Sequence, residues 1–287
     1  MGLIDSVGQQ CFDGVCAMER VGVMVAIDDG NRSGIPEFPR PIAEGTTWFS
    51  TCLEITVEGR TVHNHNSCYL LAGDRATVLV DTGMPLGWQR LRSEILHALE
   101  GRPLDYIFAT HPEAPHMGNA GPLMAMFEDL VLVGDLRTYH LYFPGQDHRF
   151  RHLNAGESLD LGGRRLEMVP ALVHDLPNTL WGYEPDAQIL FVSDAYPYTH
   201  DHDAGQCAMI SSELPRAPRA EDTSRVIEGA LNWTRFVDPE VIAQELDCFL
   251  DRYPTRVIAP AHGAVTIEPA VLTEVFKSGL RRVSVRS

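Results

Sequence analysis

Three potential metal ligands lie close together in the stretch Thr110-His111-Pro112-Glu113-Ala114-Pro115-His116-Met117-Gly118-Asn119. This stretch directly follows Asp105-Tyr106-Ile107-Phe108-Ala109, an apolar run short enough to be a buried strand. Residues two apart on an extended segment can point the same way, so we expect His111 and Glu113 to share one ion. His116, at the start of the next predicted helix, is expected to reach a second ion.

The composition limits the classes of protein to which the chain can belong. Its 287 residues are 44% hydrophobic, which is ample for a packed core. A formal net charge of -16 disfavours nucleic acid and anionic membrane surfaces as partners. We find no secretory signal and no apolar run near the ~20 residues of a membrane span, so we expect a cytoplasmic protein. Lys277 is the sole lysine, which argues against phosphate-loop and Schiff-base enzymes.

The cysteines are scattered and form no C-x-x-C pair. We expect most of them to be free thiols. Cys52 and Cys68 lie in strand-like runs and are interpreted as small buried hydrophobic residues. Cys11 and Cys16 could bridge a loose N-terminal arm, although free thiols are the preferred interpretation.

The chain is expected to consist of an irregular arm, residues 1–45, followed by one domain, residues 46–287. The arm contains an apolar segment, 21–27, that could add a strand, and the arm could wrap its own domain or a neighbouring subunit. Strands are predicted over 46–57, 67–72, 76–80, 165–170, 179–183, 188–192 and 256–259 from aromatic and β-branched runs. Helical spacing predicts a long helix between Trp88 and Leu99, and Asp238 with Pro239 indicates the start of another.

Further candidate ligands follow strands in the second half of the chain. They are His174 in Leu172-Val173-His174-Asp175-Leu176-Pro177, Asp194 in Phe191-Val192-Ser193-Asp194-Ala195-Tyr196, and His262 in Pro260-Ala261-His262-Gly263. Loops at the same edge of a sheet converge, which is where α/β proteins bind ligands. Histidine and carboxylate donors together suit borderline metal ions such as zinc or iron. His63 and His65 form another H-x-H pair, which we interpret as solvated histidines at a strand end.

The order of these motifs resembles the metallo-β-lactamase superfamily, and within it the diiron domain of flavodiiron proteins. The matching segments are Asn66-Ser67-Cys68-Tyr69-Leu70-Leu71, Asp81-Thr82-Gly83, His111-x-Glu113-x-x-His116, Leu161-Gly162-Gly163, Ser193-Asp194-Ala195 and Pro260-Ala261-His262-Gly263. The resemblance covers roughly residues 46–270. It implies a four-layer αββα sandwich with metal ions along one edge.

The resemblance also implies a ligand set. One divalent ion would take His111, Glu113 and His174, and the other would take His116 and His262, with Asp194 bridging them. Asp194 and His116 would also act in catalysis. Pro115 replaces the family's aspartate, so the second site would be weakened, solvated, or completed from the loop 200–203.

The function implied for the site remains open among three alternatives. No flavin-binding loop is found in the sequence, and only 17 residues follow position 270, so electrons would come from a separate protein. Hydrolysis of a small organic substrate by a metal-bound hydroxide is therefore the first expectation. Diiron chemistry on oxygen or nitric oxide is the second. The third is a low-activity subunit of a hetero-oligomer; we expect a homo- or hetero-oligomer in each case.

Overall fold

The computed structural model describes residues 36–57 and 59–285. The apolar segment 21–27 and the pair Cys11 and Cys16 lie outside these residues, so the predictions made for them stay untested. The described cysteines Cys52, Cys68 and Cys248 are free thiols. Cys68 is buried, as expected, whereas Cys52 is only partly buried.

Two β-sheets organise the described chain. The first has seven strands in sequence order and the second has five in the order β12-β11-β10-β9-β8. The strands are β1 Arg40–Ala43, β2 Thr46–Val57, β3 Arg60–Ala72, β4 Thr77–Val80, β5 Tyr106–Phe108, β6 Val131–Gly134, β7 Phe150–His152, β8 Ser158–Asp160, β9 Arg165–Pro170, β10 Leu180–Glu184, β11 Ile189–Phe191 and β12 Val257–Ala259.

Within residues 36–57 and 59–285, six α-helices connect or cover these strands. They are α1 Trp88–Leu99, α2 Ala114–Met117, α3 Ala120–Met126, α4 Ala220–Ala230, α5 Pro239–Arg252 and α6 Pro269–Val283. Short 3-10 helices lie at Tyr139–Leu141, Asp147–Arg149, Ser211–Glu213 and Asn232–Phe236. No helix within the described residues has the length and apolar character that crossing a bilayer requires.

The buried side chains form two apolar clusters. The smaller one packs α1 and α3 against one face of the first sheet, with Leu91, Ile95 and Leu123 at its centre. The larger one fills the space between the sheets and continues to α5 and α6, with Trp48 and Trp181 fully buried in it. Because each sheet carries helices on its outer face, the layers run α, β, β, α. The predicted four-layer αββα sandwich is confirmed.

Local chemistry explains where several elements begin. The Asp238 carboxylate accepts a hydrogen bond from the Glu240 backbone N–H at 2.9 Å and Pro239 occupies the first turn, so α5 begins where the sequence predicts. Strand β2 also has its predicted bounds, Thr46–Val57. Strand β1 extends the first sheet from within residues 1–45 by pairing antiparallel with β2.

Strand β3 differs from its prediction, because it begins at Arg60 rather than at Ser67. The extra residues are polar, but they pair along the whole length of β2, from Val57 opposite Arg60 to Thr46 opposite Leu71. The interpretation of His63 and His65 as solvated histidines at a strand end is therefore wrong. Both lie within β3, and His65 has no exposed surface.

Candidate metal centre

Strands of both sheets deliver the predicted ligands to one edge of the sandwich. His111 follows β5, Asp194 follows β11 and His262 follows β12, while His116 lies in the short helix α2. Parallel pairing of β4 with β5 and of β11 with β12 places their carboxyl ends together. His111, His116 and Asp194 are at most 3% exposed. The structure thus brings four predicted ligands into one buried cluster.

The Asp194 carboxylate is the centre of this cluster. The Nε2 atoms of His116 and His262 each lie 3.1 Å from its Oδ1, and the Nε2 of His111 lies 3.3 Å from its Oδ2. Burial would raise the pKa of Asp194, but His116 and His262 hold it well below its usual range. Both carboxylate oxygens therefore face imidazole nitrogens, as a bridging ligand requires.

The other ring nitrogens have fixed partners. The Nδ1 of His262 donates to the His65 carbonyl at 3.0 Å, and the Nδ1 of His116 donates to Asp81 Oδ2 at 2.9 Å. The Nδ1 of His111 lies 3.1 Å from the Ser193 hydroxyl. These contacts fix the orientation of each ring, as hydrogen bonds to metal-ligating histidines do.

A cation fits this arrangement better than neutral rings alone. A neutral His116 or His262 that donates through Nδ1 presents a lone pair at Nε2, which would face an acceptor oxygen of Asp194. Burial alone would lower the pKa of His116, yet Asp194 and Asp81 raise it well above its usual value. The buried Nε2 of His111 has no hydrogen-bond partner. A metal ion would satisfy all three nitrogens, so the residues fit the dinuclear centre that the family resemblance implies.

Glu113 and Asp175 form an outer part of the cluster with His111, because one ligand atom of each lies within 4.8 Å of the others. The Oε2 of Glu113 is 3.9 Å from the Nε2 of His111, and the Glu113 side chain is 46% exposed. Burial, followed by the charges of Glu113 and Asp194, raises the pKa of Asp175 to about 6. Asp175 was not predicted as a ligand, although its position directly after His174 was a usable signal.

His174 is not brought into any of the ligand groups of the described residues. Its Nδ1 lies 3.2 Å from the Ala171 carbonyl, and its ring lies against Trp233 with centroids 5.5 Å apart. The side chain lines a cavity of about 320 Å³ that Asp135 and Arg137 also line. The role of His174 as a ligand stays a prediction.

Pro115 lies in the first turn of α2, where its missing N–H costs no hydrogen bond. The proline therefore suits the helix that presents His116, and it supplies no donor. His200 and His202, which the sequence offered as replacements, are grouped with Cys52 and not with Asp194. Completion of the centre from this loop is not seen within the described residues.

The family model for the metallo-β-lactamase superfamily matches residues 63–216 of this sequence. The chain belongs to the metallo-β-lactamase superfamily. The match covers β3 from His63 onward, Asp81, the His111 stretch and Asp194, and so includes most of the cluster. The predicted resemblance is confirmed at this level.

Two curated relatives of this superfamily member carry the names of redox enzymes. The coenzyme F420H(2) oxidase of Methanothermobacter thermautotrophicus is 26% identical over 242 residues, which are 77% of this chain and 54% of the oxidase. The anaerobic nitric oxide reductase flavorubredoxin of Salmonella typhi is 26% identical over 199 residues, which are 66% of this chain and 38% of the reductase. The chain thus spans about half, or less, of the length of these relatives.

Solved structures show the same fold. The rubredoxin:oxygen oxidoreductase of Desulfovibrio gigas superposes with a TM-score of 0.67 at 16% identity, covering 85% of this chain and 61% of that one. The flavodiiron protein of Giardia intestinalis gives a TM-score of 0.61 at 16% identity, covering 86% and 61% respectively. At this identity the likeness establishes the architecture of flavodiiron cores for the superfamily member described here.

Asp81 is a positioning residue that the sequence showed only as part of Asp81-Thr82-Gly83. It accepts hydrogen bonds from His116 Nδ1 and from the Thr110 backbone N–H, and its φ of 57° is tolerated by aspartate and asparagine. We expect Asp81→Asn to weaken metal binding by about 10–100-fold, because an amide has one acceptor oxygen and cannot accept from both His116 Nδ1 and the Thr110 N–H. Competition with a chelator measures the change. Unaltered affinity would contradict this role.

Restoring a carboxylate at position 115 tests the weakened site. We expect Pro115→Asp to bind the ion next to His116 about tenfold more tightly, because it adds a donor beside that ligand. Ala114→Asp is the matched control, since it adds the same charge at the exposed neighbouring position. Equal affinities in the parent, Pro115→Asp and Ala114→Asp would disprove the assignment of the gap to residue 115.

Proposed function

We propose that this cluster holds a pair of iron ions bridged by Asp194, and that the protein reduces dioxygen or nitric oxide. The observation that carries the proposal is the convergence of three buried Nε2 atoms on the two oxygens of one carboxylate, at 3.1 to 3.3 Å. His111 and Glu113 would hold one ion, and His116 and His262 the other. Iron in this setting would supply electrons to a small diatomic substrate.

Redox chemistry is preferred to the hydrolysis that the sequence alone placed first. The relatives reported above are named as an oxidase and as a nitric oxide reductase, and none of the names quoted is that of a hydrolase. The His111-x-Glu113-x-x-His116 spacing is the sequence feature that led to the same branch. We therefore extend to this chain the class of reaction, and not a particular electron donor.

The residues of this chain would exclude water and deliver protons. His111 and His116 have no exposed surface, so the inner part of the site is dry. Glu113 connects this interior to solvent, because its carboxylate touches the cluster and is 46% exposed. Reduction of either gas consumes protons, and Glu113 with its neighbour Asp175 provides the route for them. The cavity of about 320 Å³ beside His174 offers space for a small substrate.

The test uses protein that has been reduced anaerobically and freed of reductant. We expect one addition of dioxygen or nitric oxide to reoxidise the protein, and a change in its optical spectrum measures this. Asp194→Asn should show no such change. Turnover of lactam, lactone or thioester substrates without any reaction with either gas would instead favour hydrolysis. A response that requires a co-expressed partner chain would favour the subunit alternative.

A further inference from the structure

A second group of histidine and cysteine side chains lies outside the Asp194 cluster. We call it the Cys/His cluster, and its members are Cys52, His63, His65, His200, His202 and Cys207. Two overlapping sets of three ligand atoms within 4.8 Å of one another occur in it, and Cys52 belongs to both. One set adds His202 and Cys207, and the other adds His65 and His200. The superfamily match and the proposed redox function leave this group without a role.

Strand pairing explains why these side chains meet. Cys52 in β2 and His65 in β3 are directly opposite in the antiparallel register. His63, two residues earlier, shares a face of β3 with His65. A separate β-bridge joins His63 to His200, through His63 N–H to His200 O at 2.7 Å and His200 N–H to His63 O at 2.9 Å. Backbone pairing therefore holds the loop of His200 over the β2–β3 pair.

The buried half of the cluster has ring nitrogens without partners. His200 is 2% exposed, and neither its Nδ1 nor its Nε2 makes a hydrogen bond. His65 has no exposed surface, and its Nε2 donates to the Cys207 carbonyl at 2.7 Å, while its Nδ1 has no partner. Each buried polar atom left unpaired destabilises the folded chain. A cation near Cys52 would remove part of this cost.

The outer half of the cluster presents an imidazole lone pair to sulfur. The Nδ1 of His202 donates to the Asp203 carbonyl at 2.8 Å, so the Nε2 of the neutral ring carries the lone pair. That Nε2 lies 3.3 Å from the Cys52 Sγ. A Cys207 ligand atom lies within 4.8 Å of both. Two sulfurs and an imidazole at such separations match the donors of a tetrahedral zinc site.

We propose that Cys52, His202 and Cys207 bind a single zinc-type ion, separate from the Asp194 centre, with the buried His200 beside its fourth position. Thiolate and imidazole ligands favour zinc over the hard cations, and the Asp194 centre contains no sulfur ligand. On binding, each cysteine loses its Sγ proton to solvent and forms a sulfur–metal bond, and no electron is transferred.

The proposed ion would stabilise the surroundings of the first centre. It would join the β2–β3 pair to the loop 200–207. The neighbouring His65 carbonyl accepts the hydrogen bond from His262 Nδ1 at 3.0 Å. His65 thus links the Cys/His cluster to His262, a ligand of the proposed iron pair. We assign the zinc-type site a structural role that is independent of the reaction.

A Cys52–Cys207 disulfide is the main competing interpretation. Cys52 is a free thiol in the structure and is not joined to a second sulfur. A disulfide would also leave the nitrogens of His200 unpaired. The metal accounts for the sulfurs and the imidazoles together, and the disulfide accounts only for the sulfurs.

The test replaces the native ions of the full chain with cobalt(II). Thiolate-bound cobalt gives an intense near-ultraviolet charge-transfer band, which ligation by histidine and carboxylate does not give. We expect this band in the parent protein and in Asp194→Asn. We expect its loss in Cys52→Ser and Cys207→Ser, and its retention in the matched control Cys248→Ser, whose thiol is exposed on α5.

A second measurement avoids metal removal, which could unfold the variants. Titration of the isolated protein with an organic mercurial should release one zinc ion per chain, because the reagent displaces metal only from thiolates. Release that is absent from the parent, or equal in the parent and Cys52→Ser, would overturn the proposal. A Cys52–Cys207 disulfide found in protein saturated with zinc would overturn it as well. None of these results depends on whether the protein reacts with dioxygen or nitric oxide.

Discussion

Replacing Asp194 by asparagine should remove both ions from the proposed iron pair. The carboxylate faces His111 through Oδ2 and faces His116 and His262 through Oδ1, so it is shared by the proposed sites of both ions. An amide has one oxygen and one NH2 group, and the NH2 group cannot bind a cation. We expect metal affinity to fall by more than about 100-fold, which is more than the loss expected when a residue that only hydrogen-bonds to a ligand is replaced. Elemental analysis after dialysis against a weak chelator measures it.

Asp186→Asn is the matched control for this experiment. Asp186 is exposed in the turn that precedes β11, so the variant removes the same charge without touching the cluster. Its metal content should equal that of the parent. Retention of both ions by Asp194→Asn would disprove the bridging role, and equal losses in the two variants would show that only net charge matters.

Replacing Arg164 by methionine should destabilise the fold by about 3–5 kcal/mol, because it leaves a buried carboxylate unpaired. The Glu184 side chain has no exposed surface, and its Oε1 lies 3.2 Å from Arg164 Nη2. Arg164 also donates to the Glu44 carbonyl at 2.9 Å, so it joins the second sheet to the chain between β1 and β2. Urea unfolding followed by far-ultraviolet circular dichroism measures the change in the free energy of unfolding.

The neighbouring residue provides the control for this prediction. Arg165 pairs with Glu167 at 2.8 Å but is 52% exposed, and exposed pairs contribute less than about 1 kcal/mol. Arg165→Met should therefore unfold close to the parent midpoint. The double variant Arg164→Met/Glu184→Gln should recover part of the loss, because no uncompensated charge stays buried. Similar midpoints for Arg164→Met and Arg165→Met would contradict the account.

Individual strands and helices were predictable because their signals are local, whereas the four-layer αββα arrangement was implied by the family resemblance. Apolar and β-branched runs defined strands such as β2 and β9, and capping chemistry at Asp238 defined the start of α5. Strand-end positions then predicted that His111, His116, Asp194 and His262 would meet. This inference needs only the positions of the strand ends along the sequence, because loops at the same edge of an α/β sheet converge.

The missed features depend on contacts between distant segments. The polar first half of β3 has no apolar alternation, and pairing with β2 alone makes it a strand. Consequently His63 and His65 were misplaced, and the Cys/His cluster, built from β2, β3 and the loop 200–207, was not found. Asp81 and Asp175 were missed as participants for a similar reason, because their partners His116 and Glu113 come from other loops.

The most direct test of the central claim is electron paramagnetic resonance of the isolated protein during stepwise anaerobic reduction. A carboxylate-bridged iron pair at Asp194 should be silent when oxidised. At partial reduction it should give a mixed-valence signal with g values below that of the free electron, and the signal should be absent from Asp194→Asn. A protein that contains zinc at both positions, with no mixed-valence signal at any stage of reduction, would contradict the account.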